Sequence, residues 1–346
     1  MGDGDTMKEA LLYEMLSNGK VQCNLCHFHC IIGEGKTGIC KVRTNNKGKL
    51  YTILDSYASS VQVDPIEKKP LFHFHPGTNA LSLGTWSCNF RCRGCQNYNI
   101  SRFYPSEKNI KGISEEISPK KAIELAKSYG AKGIAWTYNE PTIWFEYTLE
   151  TAKLAKKEGL YTVYVTNGSL TKRGLDLIGP YLDAFSVDIK AFSDESYRKI
   201  TPIFDWHKIL DTIVYAKTKW NIHIEVVTNI IPTINDSAEE MQKLARWIKN
   251  NLGKETPWHI TRFFPYLELS HIPPTSIKKL EELHDVGLKE GLNFVYAGNI
   301  LGHPYEDTYC PQCKRRVISR RGFSITENNV HNGKCDFCGK ELNIIE

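Results

Sequence analysis

The stretch ALSLGTWSCNFRCRGCQN, residues 80–97, places an apolar run of strand character directly before three cysteines. Cys88, Cys92 and Cys95 are spaced Cx3Cx2C, and no fourth cysteine lies near them. Thiolates are soft ligands that favour zinc, copper(I) or iron–sulfur clusters, and a structural zinc is held by four protein ligands. This loop can hold three irons of a cubane cluster and leave the fourth open. The spacing therefore predicts a 4Fe–4S cluster with one open iron.

Two histidines just upstream offer an alternative, a zinc loop that borrows its fourth ligand. His73 and His75 lie in the segment LFHFHPG, which precedes the strand. Histidine is a common metal ligand, so either ring could complete a four-ligand site. We expect both rings instead to pack beside the cluster loop, on a strand or a turn, without binding metal.

Seven apolar runs alternate with amphipathic segments from Ala80 to about Gly298, a pattern typical of repeated βα units around a parallel sheet. The predicted strands are residues 80–85, 133–139, 161–167, 184–190, 222–228, 258–264 and 294–299. Ser118 and Pro119 start one crossover helix, and Ser237 starts another. Such units form either an open doubly wound sheet or a full or partial barrel.

Polar motifs end four of the predicted strands: NEP at 139–141, TNG at 166–168, DIK at 188–190 and TNIIP at 228–232. In both arrangements ligands collect at the carboxyl ends of the parallel strands. The three-cysteine loop follows the first strand in the same way. We therefore expect the loop and these polar residues to form one site.

The C-terminal cysteines form two Cx2C pairs separated by 21 residues, Cys310 with Cys313 and Cys335 with Cys338. Two such pairs predict a tetrahedral zinc ribbon, with rubredoxin-like iron as the alternative. The segment between the pairs carries six basic residues and one acidic residue. It could grip a phosphate backbone or an acidic partner, or it could be the solvated face of a structural clamp, which we favour.

The N-terminal cysteines, Cys23, Cys26, Cys30 and Cys40, are spaced Cx2Cx3Cx9C. They could hold zinc, which we favour, or an auxiliary iron–sulfur cluster. The three cysteine groups divide the chain into an N-terminal metal-binding extension over 1–79, a core over 80–300 and a C-terminal zinc ribbon over 301–346.

Composition excludes several classes of protein. The chain has 346 residues, 41% of them hydrophobic and 24% charged, and no stretch approaches the roughly 18 apolar residues that a membrane span requires. A net charge of +5 is small for this length, which argues against nucleic-acid binding over the whole surface. The N-terminus lacks the zones of a secretory signal, so we expect a cytoplasmic protein without a membrane partner.

The Cx3Cx2C loop after the first strand of a βα series resembles the signature of the radical S-adenosylmethionine (SAM) superfamily. Further motifs together resemble the AmmeMemoRadiSam family, which is related to pyruvate formate-lyase activating enzymes. They are DPIEKKPLFHFHPG at 64–77, YNEPT at 138–142, TNG at 166–168, DIK at 188–190, RFFP at 262–265, YAGN at 296–299 and TYCPQC at 308–313. With this resemblance we predict an α/β fold, a partial parallel barrel of the (β/α)6 type with Cys-rich appendages at both ends.

The resemblance implies the chemistry of the site. The amino and carboxylate groups of SAM would chelate the open iron, and one electron from the reduced cluster would cleave SAM to methionine and a 5'-deoxyadenosyl radical that abstracts hydrogen from a substrate. Glu140, in the motif with Asn139, matches the position that binds the amino group of SAM. Asn167, Asp188 and Lys190 match positions that contact its carboxylate or ribose.

One position departs from the family. Many relatives carry an aromatic residue just before the third cysteine, where it packs near the adenine, whereas this chain has Gly94. We therefore expect Phe90 or Trp86 to stack on the adenine instead.

The predicted function is hydrogen abstraction from a protein glycine or from a small molecule, as an oxidoreductase similar to the activating enzymes. The resemblance also implies a low-potential electron donor such as ferredoxin or flavodoxin, and protein partners of the Memo and AMMECR families. The alternative is a non-enzymatic zinc protein that binds nucleic acid through the basic ribbon, which the resemblance does not favour.

Overall fold

A computed structural model describes residues 7–203 and 205–346, so the first six residues of the expected N-terminal extension lie outside it. A central sheet of eight strands organises the chain. Its strands are β1 (Ser60–Pro65), β2 (Asn79–Gly84), β3 (Gly133–Trp136), β4 (Tyr161–Thr166), β5 (Ala184–Asp188), β6 (His223–Ile230), β7 (Trp258–Arg262) and β8 (Val295–Gly298).

The strands of the central sheet follow one another in space in chain order, from β1 at one edge to β8 at the other. Strands β2 to β8 are parallel, and β1 runs antiparallel to β2. The predicted α/β fold with a parallel sheet is confirmed, and β2 to β8 are the seven predicted strands. The sheet holds one parallel strand more than a six-unit barrel, and the sequence pattern does not predict β1.

Helices cover the outer face of the sheet between successive strands. They are α1 (Tyr98–Ser101), α2 (Ile110–Ile113), α3 (Pro119–Ser128), α4 (Phe145–Lys157), α5 (Lys172–Ile178), α6 (Asp194–Ile200), α7 (His207–Trp220), α8 (Ala238–Leu252) and α9 (Ile277–Lys289). Both predicted helix starts are confirmed, since the Ser118 hydroxyl accepts from Lys121 N and the Ser237 hydroxyl from Glu240 N, each at 3.2 Å. No helix in the described part of the chain combines the length and apolar character that crossing a bilayer requires.

Short strands build the N-terminal region around the first cysteine group. One sheet joins Lys8–Glu9, Lys49–Thr52 and Arg43–Asn46, and another joins Tyr13–Met15, Val21–Cys23 and Ile31–Ile32. Arg43 anchors this region on α4, because its guanidinium donates to the Glu146 carboxylate at 2.5 Å with both side chains buried. A smaller antiparallel pair joins Tyr57–Ala58 and Glu115–Glu116.

The C-terminal region is a ribbon of antiparallel strands. Thr308–Tyr309, Arg316–Arg321 and Ser324–Asn328 form one sheet, and Val330–His331 pairs with Lys334–Cys335. Arg320 docks this ribbon on the core: its guanidinium lies 4.1 Å from the Phe72 ring and donates to Phe72 O at 2.9 Å and to Thr308 Oγ1 at 2.7 Å. Because Arg320 is only 4% exposed, it does not belong to a basic surface.

Candidate active site

One cavity of about 590 Å³ lies at the carboxyl ends of the parallel strands, where sites occur in this kind of fold. Its volume is in the usual range for small-molecule sites. All eight residues predicted for the cluster and for SAM line it: Cys88, Cys92, Cys95, Asn139, Glu140, Asn167, Asp188 and Lys190. The segments at the carboxyl ends of four strands, β2 to β5, therefore meet at one place.

The three thiols of the cluster loop stay apart. In the described ranges, the Sγ atoms of Cys88, Cys92 and Cys95 do not all lie within 4.8 Å of one another. Thiolates that share one zinc at about 2.3 Å would stand about 3.8 Å apart, whereas thiolates that bind different irons of a cubane stand farther apart. The loop also supplies a hydrogen-bond donor to one sulfur, since Phe90 N lies 3.4 Å from Cys88 Sγ. The arrangement fits a cluster better than a single ion.

Asn139 braces the start of the cluster loop. Its side-chain oxygen accepts from Thr85 N at 3.2 Å, and its amide nitrogen donates to Ser87 O at 2.6 Å. Farther along the loop, Arg102 donates to Cys92 O at 2.9 Å. The loop is thus fixed by side chains at both ends, so its thiols are positioned by the fold itself.

Gly94 is tightly packed, with little space for a side chain. A methyl group at this position would meet side-chain atoms of Leu269 and Phe263, each at 3.1 Å. Phe263 is the first residue after β7. The space next to the third cysteine is therefore already occupied from another strand, which accounts for the departure from the family pattern.

Glu140 is 1% exposed and is held by the chain itself. Its Oε1 accepts from Thr142 N at 3.0 Å, Thr142 Oγ1 at 2.5 Å and Thr166 Oγ1 at 2.7 Å, while Oε2 accepts from Asn167 N at 2.7 Å. It caps the 3-10 helix Pro141–Trp144. Burial raises the pKa of this carboxyl, and the bonds from Asn167, Thr142 and Thr166 favour its charged form. Because Oε1 already accepts three hydrogen bonds and Oε2 only one, Oε2 is the oxygen that can accept a further hydrogen bond from a ligand in the cavity.

Asn167 links the end of β4 to the cluster loop. Its amide nitrogen donates to Asn89 Oδ1 at 2.9 Å, and Asn89 in turn donates to Ser169 Oγ at 2.7 Å. Both asparagines are buried. The chain of amide bonds fixes the cluster loop relative to the strand ends, which makes Asn167 a positioning residue as well as a cavity residue.

Asp188 and Lys190 form an ion pair of 2.8 Å on the far wall of the cavity. Burial disfavours the charge on Lys190, but Asp188 and the Cys92 thiol raise its pKa overall. The ammonium therefore stays charged beside the cluster loop and can bind an anionic group.

The structure adds residues that the sequence interpretation missed. Lys69 and Tyr138 line the same cavity. Both contact Asp64, the lysine ammonium at 2.7 Å and the tyrosine hydroxyl at 2.6 Å. Phe323, at the hairpin turn of the ribbon, reaches the cavity as well. The motif DPIEKKP contains Asp64 and Lys69, but nothing in the sequence connects Phe323 with the strand ends.

The predicted position of the two upstream histidines, beside the cluster loop, is wrong. His73 accepts or donates a hydrogen bond with the Tyr296 hydroxyl at 2.7 Å, and His75 stacks on Tyr161 at 5.0 Å between ring centroids. Tyr161 is the first residue of β4. The two rings therefore pack towards the amino ends of the strands, while the cluster loop lies at the carboxyl ends.

Of the two aromatics expected to stack on adenine, only Phe90 lines the cavity. Trp86 packs against Phe103 with ring centroids 4.9 Å apart, and its indole N–H donates to Ser114 Oγ at 2.8 Å. Trp86 therefore does not line the cavity, and the prediction that it stacks on the adenine is wrong.

The C-terminal cysteines form a metal-binding site of a different kind. All four sulfurs lie within 4.8 Å of one another, with Cys310 Sγ 3.6 Å from Cys338 Sγ and Cys313 Sγ 3.8 Å from Cys335 Sγ. These separations match the edge of about 3.8 Å expected for four thiolates around one zinc. The donor set and its spacing thus fit a single tetrahedral ion.

Comparison with known proteins identifies the class. The family described as Radical SAM superfamily matches residues 85–248, which include the cluster loop and β3 to β6. The uncharacterized protein MJ0808 of Methanocaldococcus jannaschii is 39% identical over 98% of this chain and 100% of its own length. The chain therefore belongs to the radical SAM superfamily, in one family with MJ0808.

Two further relatives have names that refer to activating enzymes. The putative glycyl-radical enzyme activating enzyme MJ1632 of Methanocaldococcus jannaschii is 27% identical over 61% of this chain and 78% of its own. The pyruvate formate-lyase-activating enzyme of Clostridium pasteurianum is 26% identical over 53% of this chain and 76% of its own. The chain is thus a radical SAM family member with distant activating-enzyme relatives.

Proposed function

We propose that the protein is a radical SAM enzyme of the AmmeMemoRadiSam type, which uses a 4Fe–4S cluster on Cys88, Cys92 and Cys95 to abstract hydrogen from a substrate. The observation that carries the proposal is the shared cavity, where three separated thiols face the polar ends of four other strands. Bound together, the cluster and SAM supply a carbon radical by reductive cleavage of the sulfonium.

The chain's own residues would bind and orient SAM. Oε2 of Glu140 would accept from the amino group, beside the backbone N–H of Asn167 that it already accepts. Lys190 would attract the carboxylate of SAM, and its partner Asp188, 2.8 Å away, would accept from a ribose hydroxyl. Phe90, which is buried and lines the cavity, would contact the adenine.

The substrate would occupy the part of the cavity that Lys69, Tyr138, Asn229 and Phe323 line. The relatives named as activating enzymes support a protein glycine as the site of abstraction. The size of the cavity supports a small molecule. Mixing the reduced enzyme with candidate glycyl-radical proteins distinguishes the two, because only the first predicts a radical on the added protein.

The remaining proposals rest on family resemblance. A ferredoxin or flavodoxin would supply the electron, Memo-family and AMMECR-family proteins would be partners, and the protein would act in the cytoplasm. The four-cysteine site of the ribbon would hold zinc. The basic ribbon gives little support to nucleic-acid binding, because Arg320 is buried and Arg316 is paired with Asp307 at 3.4 Å and Glu327 at 3.1 Å.

The test is an anaerobic assay of 5'-deoxyadenosine release by the dithionite-reduced, reconstituted protein. The wild type should form the product, and Cys92→Ala should reduce it to the level without enzyme. Cys313→Ser, which changes the ribbon instead, should still form it. A wild type that carries only zinc, forms no product and shifts RNA or DNA would overturn the proposal in favour of a nucleic-acid-binding zinc protein.

A further inference from the structure

The four N-terminal cysteines come together around one small enclosed cavity. Cys23, Cys26, Cys30 and Cys40 all line it, although up to 16 residues lie between them in the chain. The rest of the lining is mostly apolar: Leu25, Ile32, Gly38, Ile39, Arg43, Thr142 and Ile143. Four soft ligands in a dry, apolar setting form the kind of donor set that binds zinc or an iron–sulfur cluster.

The distances between the sulfurs distinguish a site for one zinc ion from a site for an iron–sulfur cluster. In the described part of the chain, no three of the four N-terminal sulfurs all lie within 4.8 Å of one another. The ribbon of the same chain, in contrast, brings four sulfurs within that limit. A single ion at about 2.3 Å from each sulfur needs the closer arrangement. Four thiolates that each bind a separate iron of a cubane need the wider one.

Hydrogen-bond donors are present around this cavity. Ile39 N lies 3.5 Å from Cys30 Sγ. Arg43 lines the cavity at 2% exposure, and its Nε has no hydrogen-bond partner among the described residues. A buried N–H without a partner is costly, and the sulfurs of an anionic cluster would accept from it. The positive charge of Arg43 would also offset the charge of four thiolates.

We propose that Cys23, Cys26, Cys30 and Cys40 bind a second 4Fe–4S cluster, closed by four thiolates. It would lie next to the SAM-binding loop, because Ser87, directly before Cys88, donates to Cys40 O at 2.6 Å, and Phe28 packs edge-on against Phe90 at 6.0 Å. With every iron bound by cysteine, this cluster has no position for SAM. The inference does not depend on the proposed function, because it concerns different ligands and a different readout.

The experiment removes the first cluster and asks what remains. The triple variant Cys88→Ala, Cys92→Ala, Cys95→Ala is expressed with iron, purified without oxygen and analysed for iron, sulfide and zinc. It should keep about four irons and four sulfides per chain. After reduction it should give an electron paramagnetic resonance signal that added SAM leaves unchanged. Adding Cys26→Ser and Cys30→Ser should remove the iron, while Cys313→Ser, the matched change in the ribbon, should leave it.

Three results would overturn the inference. The first is a triple variant that contains two zinc ions and no iron. The second is a triple variant that contains a single zinc and no other metal. The third is a triple variant that still contains iron after Cys26→Ser and Cys30→Ser are added. If the multiple variants do not fold, as circular dichroism would show, the wild type decides. It should contain about eight irons and eight sulfides, and Mössbauer spectra accounting for only about four irons would contradict the second cluster. Absence of SAM cleavage would affect only the proposed function.

Discussion

The ribbon and the three-cysteine loop use the same ligand in opposite ways. The ribbon gathers four sulfurs at separations of 3.6 to 3.8 Å for the closest pairs, which leaves no coordination position for anything else. The loop keeps three sulfurs apart at the wall of a 590 Å³ cavity. The number and separation of the sulfurs therefore distinguish a closed four-ligand arrangement from one that leaves room for a further ligand.

The largest effect should come from exchanging one cysteine in each region. Cys95→Ser should lower cluster iron and abolish SAM cleavage while the ribbon keeps its metal. Cys338→Ser should do the reverse, with loss of the metal bound by the ribbon and retention of cleavage. Metal analysis and product assays on both variants check the comparison. Loss of both metals in either variant would show that the two sites are not independent.

Removing the side chain that docks the ribbon should have the next largest effect. Arg320→Ala leaves Phe72 O and Thr308 Oγ1 without their buried donor, which should lower the free energy of unfolding by about 2 to 4 kcal/mol. Arg315→Ala is the matched control, because Arg315 is exposed and should cost less than about 0.5 kcal/mol. Denaturant titration measures both. Equal losses would mean that Arg320 does not dock the ribbon.

On the cavity side, Thr142→Val should reveal how Glu140 is held. The change removes one hydroxyl donor from a buried carboxylate, which should destabilise the fold by about 1.5 to 3 kcal/mol and raise the pKa of Glu140 further. SAM binding should weaken along with it. Thr142→Ser keeps the hydroxyl and should retain both stability and affinity. A valine variant that binds SAM as the wild type does would contradict a role for this carboxylate.

The smallest predicted effect is a pH dependence at the base of the sheet. Burial lowers the pKa of His73 to about 3, so the unfolded chain binds a proton at this ring near pH 6.5 that the folded chain does not. Stability should fall as the pH drops from 6.5 towards 3, and this ring should account for a loss of about 1 kcal/mol between pH 6.5 and pH 5.5. His73→Gln should remove that contribution from a series of unfolding curves at different pH values. An unchanged slope in the variant would assign the dependence to other groups.

Much of the core could be predicted from the sequence because its signals are local. Seven buried strands stand out as apolar runs, and the helix after β2 begins at Ser118 with Pro119 next, as its capping pattern predicts. Strand β1 does not stand out in this way, because Ser60–Pro65 contains no continuous apolar run and is mostly exposed or half-buried.

The candidate site shows the same division. Residues at strand ends could be predicted, because parallel strands deliver their carboxyl ends to one edge. Tyr138 and Phe323 could not be predicted. Tyr138 lines the cavity from a left-handed backbone conformation with φ of +73°. Phe323 belongs to the ribbon, about 180 residues farther along the chain than Tyr138. The outward turn of Trp86 also depends on a distant partner, Ser114. Contacts between residues that are far apart in the chain produce no periodic pattern in the sequence, so they cannot be predicted from it.

The account depends most on an open iron at the loop of Cys88, Cys92 and Cys95. Electron–nuclear double resonance of the reduced protein, mixed with SAM labelled with ¹⁵N at its amino group and ¹⁷O at its carboxylate, tests this directly. The account predicts that both labels couple magnetically to the cluster in the wild type and that neither does in Cys92→Ala. A wild-type cluster whose spectrum shows no coupling to either label would contradict it.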